Sequence, residues 1–229
     1  MHKLGKENLI GLNPLRGESR AYAHALSRGK PLAMASSPFH PVIELPPGYE
    51  VYDFSQRYDP NRHLNSPFGI GKYNEKRLGM YETEIFQEEG GQRNIHMGVD
   101  IGAPVGTPVH AFADGEIFLF AYNAAAGDYG YTLITRHDDV NGETLYALHG
   151  HLGARSVEGK AVGQKVSRGE VIAWVGDRHE NGGWNPHLHF QLSRVKPEVC
   201  DMPGAVNEAG LEKALATYPD PRLVLGPIY

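Results

Sequence analysis

The chain has 229 residues, 41% of them hydrophobic and 21% charged, with a formal net charge of −5; it is long enough for one large domain, or one domain with extensions, around a sizeable core. Usage this close to globular norms argues against disorder throughout, and the negative balance gives no basic footprint for nucleic acid or an anionic membrane surface. A single cysteine, Cys200, excludes an intrachain disulfide and a thiolate zinc site, and no apolar run reaches the length of a membrane span.

Residues 1–65 read as an irregular N-terminal arm. Pro38, Pro41, Pro46, Pro47 and Pro60 oppose long helices there, apart from a short one expected at Ser19–Ser27. Tyr49, Val51, Tyr52 and Phe54 need a surface to pack on, so the arm is expected to lie over the main domain. Met1–Lys30 carries six basic residues but no hydrophobic stretch of the kind a secretory signal needs. The sequence as written therefore predicts a cytoplasmic protein, or a periplasmic or extracellular one if a leader has been removed.

Residues 66–196 change to short strands and turns. Strands are expected at Pro108–Phe112, Gly115–Ala121, Tyr131–Arg136 and Thr144–Leu152, with Asn141-Gly142 as a turn dipeptide before the last. Val166–Val175 holds two shorter segments around Arg168-Gly169, and His187–Leu192 closes the set. Frequent strands with glycine-rich connections predict a mainly β fold, an all-antiparallel sheet or sandwich. The tail, 197–229, should hold one helix, Val206–Thr217, ended before Pro219 and Pro221.

Two histidine motifs carry the chemistry. His96-Met97-Gly98-Val99-Asp100 and His187-Leu188-His189 together offer imidazoles and a carboxylate, the ligand types of a catalytic zinc with a position open to water. His187 and His189 are two apart, so on a strand both rings share a face while Leu188 and Phe190 take the other. His96 and Asp100 are four apart, an even offset that keeps them on one face of an extended segment; Gly98 makes a helix there a poor alternative.

Further blocks follow the first motif in order: Ala103-Pro104-Val105-Gly106-Thr107-Pro108, Ala113-Asp114-Gly115, Gly150-His151-Leu152, Val162-Gly163-Gln164, and Pro186-His187-Leu188-His189-Phe190. This series resembles the lysostaphin-type (LytM-like) zinc metallopeptidases. The resemblance implies a small antiparallel β fold with a groove over the metal, and a zinc metalloendopeptidase that hydrolyses peptide bonds in bacterial cell wall. It places Zn2+ on His96, Asp100 and His189, and gives His187 and His151 the non-ligand catalytic roles. The expected partner is a peptide or peptidoglycan-fragment substrate, with no nucleic acid and no membrane span.

Two features depart from the common pattern. His149 lies two residues before His151, so both should face one side of their strand, where His149 competes for the catalytic role or lines the groove. The loop Asp177–Asn185, with Glu180, Asn181 and Trp184, is longer than the Thr-Gly-containing loop of many members. It resembles more closely a subgroup fused to kinase-like and aminotransferase-like modules, as do tail residues Tyr218–Pro221 and Leu223–Gly226. A reshaped loop and a proline-rich arm that narrow the groove predict preference for short soluble peptides over intact sacculi. His110, His137 and His179 read as ordinary surface or core histidines, and Cys200 as inert. The alternative from another class is a non-catalytic peptide-binding or regulatory module; degenerate relatives of that kind lose metal ligands, whereas His96, Asp100 and His189 are all present. A cupin-like oxygenase would want a glutamate shortly after His189, where Gln191 and Ser193 stand.

Overall fold

The structure, a computed structural model, describes residues 37–59 and 65–229. The helix expected at Ser19–Ser27 lies outside those residues. Twelve strands are present among them: β1 (Glu50–Val51), β2 (Gly69–Gly71), β3 (Ile95–His96), β4 (Val99–Gly102), β5 (Pro108–His110), β6 (Gly115–Asn123), β7 (Gly130–Val140), β8 (Glu143–Leu152), β9 (Lys165–Val166), β10 (Val171–Trp174), β11 (His187–Ser193) and β12 (Ala205–Val206). Eight form one sheet in the order β1-β2-β4-β11-β8-β7-β6-β9, while β10 pairs with β5 and β12 with β3.

The fold is mainly β, and nearly every pairing is antiparallel. The exception to the expected all-antiparallel arrangement is at the edge, where β1 runs parallel to β2. The hairpin from β7 to β8 turns at Asn141 (φ 53°) and Gly142 (φ 83°), two consecutive positive values that match the strands' own twist and suit an Asn-Gly pair. On one face of the sheet Val99, Ile101, Leu133, Ala147, Leu188 and Phe190 join the largest apolar cluster. On the other, Ile134, Tyr146 and Leu148 pack on Cys200 and Met202. Fully burying a side chain of the Leu or Phe type contributes about 1.5–3 kcal/mol, so β8 and β11, covered on both faces, are the most firmly held part of the molecule.

The arm residues 37–59 do lie on this body. Glu50 N–H donates to Phe68 O (3.1 Å) and Tyr52 N–H to Ile70 O (2.7 Å), and the Tyr49 hydroxyl donates to Ile228 O (2.9 Å). Val51, expected to pack, is 46% exposed. The tail helix is shorter than expected: α1 spans Leu211–Thr217, because Ala205 and Val206 pair with His96 and Ile95 instead. A four-residue helix, α2 (Arg222–Leu225), follows the prolines. Among the described residues no helix is long and apolar enough to cross a membrane.

Candidate active site

His96 ends β3, Asp100 lies in β4 and His189 in β11, paired directly with Asp100. His96 and Asp100 are thus not on one extended segment as the even spacing predicts; Met97-Gly98 carries the chain from one sheet to another. The three side chains still meet. His96 Nε2 and His189 Nδ1 are 3.1 Å apart, His96 Nε2 and Asp100 Oδ1 3.1 Å, and His189 Nδ1 and Asp100 Oδ1 3.0 Å. Gly98 makes the convergence possible, since a Cβ there would come within 2.5 Å of His189 Cε1.

The outward-facing atoms of all three are engaged. His189 Nε2 lies 3.0 Å from Gln191 Oε1, so that nitrogen carries the proton and Nδ1 keeps its lone pair. Asp100 Oδ2 accepts from Arg77 Nη1 at 2.6 Å, which leaves Oδ1 for the triangle. His96 Nδ1 has two neighbours at 2.9 Å, the Lys72 carbonyl and Arg77 Nη2, which call for opposite tautomers. Donation to Lys72 O frees Nε2 as a ligand atom, the carbonyl support common to metal-binding imidazoles. These donors fit a zinc ion: ligand atoms of a tetrahedral centre with bonds near 2.0–2.1 Å are about 3.3 Å apart, and three protein ligands leave one position open. Among the described residues this is the one His/Cys/Asp/Glu group close enough to hold a metal.

Burial, then the nearby Arg77 charge, lowers His96 to about 4. Burial opposes ionisation of Asp100, yet His96 and Arg77 hold it well below the usual carboxylate range. His96 is therefore a neutral imidazole and Asp100 a carboxylate, the ionisation that metal binding requires.

His187 and His151 stand beside the triad. His187 Nε2 is 3.7 Å from Asp100 Oδ1, and its Nδ1 donates to Asn185 O at 2.7 Å. His151 Nδ1 donates to Asn181 O at 2.8 Å, and the two rings lie 4.3 Å apart between centroids. Both Nε2 atoms keep lone pairs, and both residues line the cleft. Burial lowers both histidines, His151 well below its usual value, with His187 and His189 adding to the effect.

The shared face expected for His149 and His151 is not found. Leu133 pairs with His149 and Tyr131 with Leu152, so three steps on β8 oppose two on β7. This β-bulge puts His151 in left-handed backbone (φ 62°) and re-aims its side chain, a common device beside functional sites. His149 instead points into the core, fully buried, with its ring 5.3 Å from Phe190. It neither lines the groove nor competes with His151.

The site opens into a cleft of about 920 Å³. One wall is the arm, Tyr52 to Asp59; another is Arg77, Tyr81 and Phe86; a third is the Asp177–Asn185 loop through Trp184. Asn181 organises that loop. Fully buried, it accepts from Gly183 N–H and Trp184 N–H (3.1 and 3.0 Å) and donates to Trp184 O at 3.0 Å. Sequence reasoning passed over Arg77 and Tyr81, which lie in no catalytic spacing, and named Asn181 only as a residue of the long loop. His110, His137 and His179 are not among the residues that line the cleft, and burial pushes the Cys200 thiol up to about 12, as an inert cysteine requires.

The chain is similar to several known proteins. It is 45% identical over 98 residues to the DD-carboxypeptidase/endopeptidase Mpg of Neisseria meningitidis, a match covering 42% of this chain and 20% of Mpg. It is 32% identical over 170 residues to the peptidoglycan DD-endopeptidase ShyC of Vibrio cholerae, covering 71% of this chain and 35% of ShyC. The chain thus spans about a fifth to a third of the length of these relatives. Among solved structures, the catalytic domain of the prophage-encoded M23 protein EnpA from Enterococcus faecalis is 26% identical, with a TM-score of 0.42 over 63% of this chain and 92% of that one. A family model, "Peptidase family M23", matches residues 94–201, the stretch that carries all three triangle residues and both flanking histidines. Residues 94–201 are thus similar to peptidase family M23.

Proposed function

We propose that the chain is a zinc-dependent peptidase that hydrolyses a peptide bond in peptidoglycan stem peptides, with His96, Asp100 and His189 as ligands. One observation carries the reading: three donor atoms converge at 3.0–3.1 Å while their outer atoms are held by other groups. The bound ion would supply a Lewis acid that brings a coordinated water's pKa to about 7.

The chain's own residues then move the protons. His187 and His151 each present a neutral Nε2 to the cleft, fixed by Nδ1–H donation to a carbonyl, so either accepts a proton from water. Their rings are too close for two positive charges to be cheap, so the pair carries one proton at a time. One ring takes it; the charged ring donates it to the oxyanion or the leaving nitrogen, an interaction worth roughly 3 kcal/mol by comparison with other oxyanion donors.

The substrate we favour is a short soluble wall fragment. ShyC, by its name, acts on peptidoglycan, and here the arm and the loop bearing Trp184 flank the cleft; that long loop resembles the subgroup fused to kinase-like and aminotransferase-like modules. Zinc-loaded protein should therefore cleave cross-linked stem-peptide dimers faster than intact sacculi. Faster release from sacculi rejects the substrate preference; no cleavage of either by zinc-loaded protein rejects the peptidase reading in favour of a binding module.

A further inference from the structure

Arg77 is the largest fully buried side chain of the described residues, and its guanidinium is shared among groups of very different purpose. Nη1 donates to Asp100 Oδ2 (2.6 Å) and to the Tyr81 hydroxyl (2.9 Å), Nε to Glu75 Oε2 (3.3 Å), and Nη2 lies 3.5 Å from Lys72 O. The Phe54 ring covers its face at 4.9 Å. Gly71 leaves the room: a Cβ there would come within 2.8 Å of Nη2. The backbone is pinned as well, by Arg77 N–H to Asn94 O at 2.8 Å.

A buried guanidinium needs compensating charge, and Glu75 at 3.3 Å, itself shared with Lys72 Nζ at 3.1 Å, supplies it together with Asp100 at 2.6 Å. The shorter bond also falls on one particular oxygen of Asp100. Asp100 gives Oδ2 to Arg77 and Oδ1 to the triangle, so its carboxylate is divided between the two. A planar fork with fixed N–H directions can enforce that division; an ammonium cannot.

We infer that Arg77 is a positioning residue for Asp100: by holding Oδ2 it restricts Asp100 to binding the ion through Oδ1 alone. The inference rests on the ligand set proposed above. It places a determinant of the metal site outside residues 94–201, the stretch matched by the family.

The test is zinc affinity, measured by competition with a chromophoric chelator, and the visible absorption of the cobalt(II)-substituted protein, with circular dichroism as the check of folding. Arg77→Met should bind zinc about 10- to 100-fold more weakly, the usual effect of removing a group that supports a ligand. Its cobalt spectrum should shift toward the weaker bands of higher coordination as Oδ2 joins Oδ1. Arg77→Lys should restore only part of the affinity, and it decides the question by the same two readouts if Arg77→Met does not fold. Unchanged zinc affinity and cobalt spectrum in a folded Arg77 variant, while Asp100→Ala loses the metal, overturn the positioning role alone. Full zinc retention by Asp100→Ala overturns the ligand set, and this inference with it.

Discussion

His149 keeps Nε2 buried with no hydrogen-bond partner among the described residues, while Nδ1 donates to Leu133 O at 3.3 Å. Burial, reinforced by His137, lowers its folded pKa to about 3. The unfolded chain, titrating near 6.5, binds more protons anywhere between those values, so stability falls as pH drops below about 6.5, by at most about 1.4 kcal/mol per unit. The loss is complete only near 3. His149→Phe should flatten part of that slope, read from urea unfolding at pH 5 and 7; an identical slope in the variant would mean that His149 is not the group titrating. His151 is the complementary case. Asn tolerates left-handed backbone, so His151→Asn should keep fold and zinc yet lose about 100-fold or more in turnover. Retained turnover would remove His151 from the mechanism. Sequence spacing could not separate these two histidines, because period-two reasoning assumes an unbroken strand and the bulge adds a residue between them.

At the scale of elements, legibility followed length for most strands, although the short β5, β9 and β10 were expected too, from the turn residues around them. β6, β7, β8 and β11 are seven to eleven residues long and announced themselves through turn residues and alternation. β2, β3, β4 and β12 have two to four residues, too few to show a period, and each is defined by its partner. That is why the Val206–Thr217 helix lost its first turn to β12. The convergence of the three side chains survived the error, since the motif glycine does its work in space: Gly98 faces the His189 ring. Gly98→Ala should push that ring out of the triangle and weaken zinc binding by at least the about 10-fold expected of a displaced ligand, measurable by chelator competition. Parent-like affinity would show that the loop yields instead.

Across the whole molecule, the site's centre was readable and its surroundings were not. The proposed ligand and proton-transfer residues belong to motifs with fixed spacing, whereas the cleft is assembled from Tyr52, Tyr81, Trp184 and Met202, brought together only by folding. The sheets add a mechanical aspect. His96 rides on the small β3–β12 sheet, which the tail holds through Ala205 and Val206, while Asp100 and His189 ride on the large one. An ion gripped by all three would act as a rivet across a seam between two sheets. Zinc at 100-fold over its Kd should stabilise the fold by about 2.7 kcal/mol, and the gain should not be spread evenly. Amide hydrogen exchange should slow most at Ile95, Met97 and Val206, on the seam, and least at Phe120 and Leu133, within the large sheet on β6 and β7. Uniform slowing across both regions would mean that the seam does not open by itself. If it does open, the tail beyond Ala205 controls how long the metal stays.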